Sequence, residues 1–221
     1  MIRFVTGTGV GVGKTVVATV LARADRASGR IVGYVKAVQT GVEPGQPGDL
    51  DFVREAAGVP AQEGLRFPGR LDPAVAAEQS RSSIGIDWLV DRIQRQAGMV
   101  DVLYVEGTGG LLAPLSGDLT MADLAIRLGA EVVVVTRPGL GTVNLSALTL
   151  EAARTRSLQL SGLVVNRWPA HPGVLERTSL ERLGRMAPVL GVLPLVEDLS
   201  TRGPAPLPDG FAFLAPDSVA G

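Results

Sequence analysis

TGTGVGVGKT, Thr6 to Thr15, decides the fold of this chain. A short apolar run, Ile2 to Val5, leads into it. From Lys14, the segment KTVVATVLARADRASG carries apolar residues at helical spacing until Gly29. A strand, a glycine-rich loop and a Lys-Thr pair opening a helix form the arrangement that cradles phosphates. Backbone N–H groups and the helix N-terminus point at the anion. Lys14 is placed to reach the terminal phosphates, and the Thr15 hydroxyl to hold Mg²⁺. The spacing departs by one residue from G-x-x-x-x-G-K-[ST], because Thr8 stands where that pattern needs glycine and Gly7 comes one place early. Gly9, Gly11 and Gly13 leave little side chain in the loop, which suits close backbone approach to a ligand.

Beyond the loop, apolar runs alternate with helical patterns. Strands are expected at Ile31 to Val35, Val100 to Val105, Glu131 to Thr136, Leu160 to Asn166 and Val189 to Leu193. Helices are expected at Asp49 to Gly58, Ile86 to Gln96, Met121 to Leu128, Asn144 to Ser157 and Val174 to Met186. The stretch from Val59 to Ser83 follows neither period, and the Pro-rich segment from Gly203 to Pro216 is expected to be irregular. Strands that are apolar throughout and alternate with helices imply a parallel sheet covered on both faces. The fold class expected is α/β, a P-loop NTPase-type mostly parallel sheet, as one domain over residues 1–221. Ligands on such sheets bind at the carboxyl ends of strands.

Composition narrows the function classes. With no cysteine, disulfides, thiolate metal sites and cysteine nucleophiles are excluded. A net charge of −1 and the lack of a long basic run argue against a general nucleic-acid binder. The longest apolar stretch, around Val132 to Val135, is too short to span a bilayer. No targeting pattern opens the chain, so a soluble cytoplasmic protein is expected.

Lysine occurs only twice, at Lys14 and Lys36, among 21 Lys plus Arg residues. Codon bias accounts for the scarcity but not for the placement. A lysine sets a compact point charge among phosphates, where the planar fork of Arg is no substitute. Lys36 ends the second apolar run, beside the phosphate loop if those two strands are neighbours. Thr40 and Gly41 follow, and the Thr40 hydroxyl is a candidate hydrogen-bonding group for a small polar substrate. Asp49 and Glu106 are the candidate metal ligands, since Mg²⁺ takes oxygen donors. Glu106 caps an apolar strand before a glycine turn. Asp49 opens a helix, where an Asp is often only a cap. Asp51 and Asp123 read as surface or cap residues, and His171 as structural. Asn166, at another strand end, is placed either to read a base edge or to make a turn.

Three motifs in order resemble dethiobiotin synthetase, over Ile2 to about Val196. They are TGTGVGVGKT at Thr6 to Thr15, KAVQTG at Lys36 to Gly41, and VEGTGG at Val105 to Gly110. The resemblance implies an ATP- and Mg²⁺-dependent ligase. It joins 7,8-diaminononanoate and CO₂ into dethiobiotin, releasing ADP and phosphate through a carbamate and a carbamic-phosphoric anhydride. By this resemblance Lys36 and Lys14 are catalytic and flank the carbamate and γ-phosphate. Gly11, Val12, Gly13, Lys14, Thr15 and Val16 hold the nucleotide phosphates. Gly107, Thr108 and Gly109 join them from the VEGTGG turn. Thr15, Asp49 and Glu106 hold Mg²⁺. Asn166 and Arg167, with Pro194, Leu195 and Val196, surround the adenine. Thr40 and Pro73 contact the substrate. A homodimer is implied, in which Leu140, Gly141 and Asn144 of one subunit bind the substrate carboxylate of the other. The chain departs from the family pattern at Val10, Ala37 and Thr108.

Two rival readings share the scaffold. A cobyrinate-type synthetase carries a glutaminase domain with a cysteine nucleophile, and cysteine is absent here. A partitioning-type switch ATPase carries a lysine early in the loop, where this chain has Gly7 and Thr8.

Overall fold

Valine-rich segments form the centre of a seven-stranded sheet in the computed structural model, which describes residues 1–196, 207, 211–214 and 216. In the first half of the chain, β1 (Ile2–Gly7), α1 (Lys14–Ala27), β2 (Val32–Thr40), α2 (Asp49–Ala57) and β3 (Ala61–Phe67) alternate. Next come α3 (Pro73–Gln79), α4 (Ile86–Ala97), β4 (Val102–Glu106), a small hairpin of β5 (Pro114–Ser116) and β6 (Leu119–Thr120), and α5 (Met121–Arg127). β7 (Glu131–Thr136), α6 (Thr142–Thr155), β8 (Gln159–Trp168), α7 (Val174–Met186) and β9 (Val189–Pro194) complete the order. The large sheet runs β3-β2-β4-β1-β7-β8-β9, and all its neighbouring strands are parallel. The expected α/β parallel sheet is therefore present.

Side chains alternate between the faces of each strand. In β4, Leu103 and Val105 join the core under α4 and α5, while Val102 and Tyr104 join the core under α1 and α2. In β2, Val35 and Ala37 take the first face, and Val32 and Tyr34 the second. This period places Lys36 and Glu106 on the α1 face, and the two are direct partners in the β2–β4 register.

Two expectations change. β2 is not a neighbour of the phosphate-loop strand β1, because β4 lies between them. It also continues to Thr40, so Lys36 stands inside a strand and not at its end. Beyond the expected end at Val35, Lys36 and Gln39 are both buried, each with partners that satisfy them. β3 lay hidden in the unreadable stretch for a different reason. It is an edge strand, and its Glu63–Arg66 ion pair interrupts the apolar pattern. Most of the Gly203 to Pro216 segment lies outside the described residues.

Candidate active site

Glu106 is 1% exposed and accepts hydrogen bonds from three side chains. Thr15 Oγ1 donates to its Oε1 at 2.9 Å, Lys36 Nζ to the same oxygen at 2.5 Å, and Tyr34 Oη to Oε2 at 2.7 Å. Because β4 separates β1 from β2, its last residue is the link between the phosphate-loop helix and Lys36. The Lys36 ammonium also contacts Asp49 Oδ2 at 2.7 Å. Burial alone would lower the Lys36 pKa. Asp49 and Glu106 outweigh it and raise the ammonium above the ordinary lysine value. Lys36 is therefore a fixed cation and not a general base.

Asp49 is available for this pairing because Asp51 takes over the cap. The Gly48 N–H donates to Asp51 Oδ2 at 2.9 Å, while the Asp49 N–H donates to Gln39 Oε1 at 3.1 Å. Thr15 is thus bonded to Glu106, and Asp49 is joined to Glu106 through the Lys36 ammonium, which brings one hydroxyl and two carboxylates into the same cluster. That is the hard-donor set Mg²⁺ takes with phosphate oxygens.

Lys14 spans the loop mouth, donating to the Gly9 carbonyl at 3.1 Å and the Gly109 carbonyl at 2.7 Å. Burial, and then the neighbouring Lys36, lower its pKa to about 8 against the opposing pull of Glu106 and Asp49. The folded protein releases this proton near pH 8, while the unfolded chain keeps it to the ordinary value of 10.5. Between these values the unfolded state binds more protons, so this group's contribution to stability rises with pH. A polyphosphate beside Lys14 would restore its proton. Nucleotide binding at pH 9 is therefore expected to take up close to one proton, and at pH 7 almost none. Calorimetry in buffers of different ionisation enthalpy measures this directly.

The other end of the loop is pinned from β8. Asn166 is buried, and its Nδ2 donates to the Val12 carbonyl at 2.9 Å. Gly13 lies against it with φ 92°, and a Cβ there would sit 1.9 Å from Asn166 Nδ2. Asn166→Ala would leave the Val12 carbonyl without this donor, at a cost of about 1–3 kcal/mol. Thermal unfolding should report that loss, together with weakened nucleotide binding. At its start the loop is held by the Thr8 N–H, which donates to the Val135 carbonyl at 2.9 Å.

One pocket of about 300 Å³ joins most of these groups at the carboxyl ends of the strands. Its walls include Gly11, Gly13, Lys14, Thr15 and Val16 from the loop and α1, and Lys36, Thr40 and Asp49 from the β2 side. Glu106, Thr108 and Gly109 line its floor, and Asn166, Arg167, Pro194 and Val196 its far end. Other named residues lie elsewhere. The Val12 carbonyl faces Asn166, Gly107 packs on Phe4, and Leu195 is half-exposed with its N–H on the Trp168 carbonyl. Pro73 is buried at the first turn of α3. Leu140, Gly141 and Asn144 are exposed where α6 begins, outside this pocket.

The sequence reading missed four lining residues, Val10, Gln39, Arg70 and Phe211. Val10 and Gln39 carried a signal, as parts of TGTGVGVGKT and KAVQTG. Thr108, which lines the pocket, also donates its hydroxyl to the Val38 carbonyl.

Comparison with known proteins matches this arrangement to a family. A family model described as an AAA domain covers residues 3–202. An ATP-dependent dethiobiotin synthetase of Frankia casuarinae is 45% identical over 90% of this chain and 85% of its own. Those of Mycobacterium sp. (strain JLS) and Streptomyces coelicolor are 43% and 41% identical, covering 86% of this chain and 86% and 82% of theirs. The chain belongs to the dethiobiotin synthetase family. Solved structures show the P-loop ATPase fold more broadly. A Cyanothece McdA superposes with a TM-score of 0.57 at 16% identity, covering 89% of this chain and 86% of that one. MinD in the Aquifex aeolicus MinC:MinD complex gives 0.55 at 14%, covering 90% and 83%. At such identities these likenesses concern architecture alone. Within the dethiobiotin synthetase family, the motifs at Lys14, Lys36 and Glu106 form one buried cluster in this chain.

Proposed function

We propose that the chain carries out ATP-dependent ring closure of 7,8-diaminononanoate with CO₂ to dethiobiotin. The observation that supports this best is the buried group of Lys36, Asp49, Glu106 and Thr15 directly under the phosphate loop. One amine adds to CO₂ and loses a proton, giving a carbamate. A carbamate oxygen attacks the γ-phosphorus and ADP leaves. The second amine then attacks the carbamate carbon, expels phosphate and closes the ring.

Lys36, held charged, neutralises the carbamate and the developing phosphoryl charge, and Lys14 neutralises the β- and γ-phosphates. Catalysis of this kind is positioning and charge stabilisation. Mg²⁺ would be held by Thr15, Asp49 and Glu106, and when bound supplies further neutralisation of phosphate charge. The wall of Asn166, Arg167, Pro194 and Val196 would take the adenine, and Thr40 would contact the diamine. The enzyme is read as a cytoplasmic homodimer. Its interface includes the exposed Leu140, Leu145 and Leu148, which would bring the start of α6 to the substrate carboxylate of the partner subunit.

Isotope transfer tests the sequence of steps. With bicarbonate labelled by ¹⁸O, the product phosphate should carry one ¹⁸O atom, the oxygen lost from the carbamate. Dethiobiotin formed with unlabelled phosphate would exclude the anhydride route.

A further inference from the structure

The geometry points to Tyr34 as a positioning residue that orients the Glu106 carboxylate for the divalent cation. The inference rests on the metal role proposed for Glu106. Tyr34 is 1% exposed and shares the α1-facing side of β2 with Lys36, two residues away. Its hydroxyl holds Oε2 of Glu106 at 2.7 Å. The opposite oxygen, Oε1, is thereby turned toward Thr15 and Lys36. A carboxylate held by only one oxygen can rotate about its last bond. Tyr34 fixes that rotation from behind, as outer-shell partners of metal ligands do.

The competing explanation is that Tyr34 merely fills the core under α1 and takes whichever acceptor is near. The molecule contains its own control. Only two tyrosines occur, and Tyr104 lies opposite Tyr34 in the β2–β4 register, on the same face. Its hydroxyl also donates to a carboxylate, but to Asp25 Oδ2 at 2.6 Å, at the far end of the strand from the phosphate loop. Tyr34→Phe and Tyr104→Phe therefore each delete one such hydrogen bond on the same face, and only the first touches Glu106.

Mn²⁺ binding to the complex with a non-hydrolysable ATP analogue, followed by electron paramagnetic resonance, separates the two cases. Tyr34→Phe should weaken Mn²⁺ binding about tenfold, in line with losses on removing outer-shell partners. Tyr104→Phe should leave it unchanged. In a Glu106→Gln background, Tyr34→Phe should add little, because it acts through Glu106. Mn²⁺ affinity within twofold of wild type for Tyr34→Phe would overturn the proposal, as would an equal loss for Tyr104→Phe. A second measurement keeps the native fold. With both tyrosines replaced by 3-fluorotyrosine, adding metal to the nucleotide complex should shift the ¹⁹F signal of Tyr34 and not that of Tyr104. An unmoved Tyr34 signal contradicts the proposal. Neither experiment contains the diamine, so failure here is distinct from failure of the synthetase reading, which would appear as phosphate release by the wild type that ignores the diamine.

Discussion

Lys36→Met is expected to lower turnover by about three orders of magnitude, the upper range seen on removing one preorganised donor from a charge-stabilising site. It should also destabilise the protein. Asp49 and Glu106 are both buried and share the Lys36 ammonium at 2.7 and 2.5 Å. Removing one partner of a buried ion pair leaves uncompensated charge and costs about 3–5 kcal/mol. For a chain of this size that is a fall in melting temperature of about 10 °C. The two carboxylates left behind have lost the ammonium they share, so Mg²⁺ should recover part of the lost stability in the variant and little in the wild type. Scanning calorimetry with and without Mg²⁺ checks the stability, and phosphate release checks the turnover. A variant as stable as wild type would mean that the ion pairs contribute nothing to the fold. Lys36→Arg keeps the charge but must fit a larger planar group into the same enclosed space, so it should also lose both activity and stability.

Glu106→Gln should separate charge from shape. The amide can keep its oxygen toward Lys36 and Thr15 and turn its nitrogen toward Tyr34, whose hydroxyl oxygen accepts as well as donates. The fold should therefore lose less than with Lys36→Met. What disappears is one negative charge at the proposed metal position, leaving Asp49 as the carboxylate on Lys36 in this cluster. Turnover is expected to fall about 10²- to 10³-fold, and the Mg²⁺ concentration for half-maximal rate to rise at least tenfold. A Mg²⁺ dependence like that of the wild type would remove Glu106 from the ligand set. Aspartate at this position would test reach, since it keeps the charge but shortens the arm to Thr15.

Much of this architecture was legible in the sequence, because its signals were local. The loop at Thr6 to Thr15, the valine-rich strands and the helical periods all read directly, and each became the expected element. What did not read was long-range. That β4 inserts between β1 and β2 is a matter of strand order, which no local pattern records. It changes Lys36 from a strand-end lysine beside the loop into a buried cation joined to the loop through Glu106. Lys36 and Gln39 concealed the second half of β2 for a related reason, because these buried polar side chains are held by Asp49 and, for Lys36, Glu106, which lie farther along the chain. Asp49 reads in the sequence as a metal ligand or a cap, and the structure gives the cap to Asp51, as the sequence allowed. Tyr34 gave no signal at all, since a tyrosine within an apolar run reads as core packing. Its hydroxyl matters only because the β2–β4 register brings it to Glu106.

The most direct test of the central claim is phosphate release by the purified protein with ATP, Mg²⁺ and bicarbonate, measured with and without 7,8-diaminononanoate. Release that depends on the diamine, with dethiobiotin formed in equal amount, is the predicted result. ATP hydrolysis at the same rate without the diamine would contradict the account and favour a switch ATPase on the same scaffold.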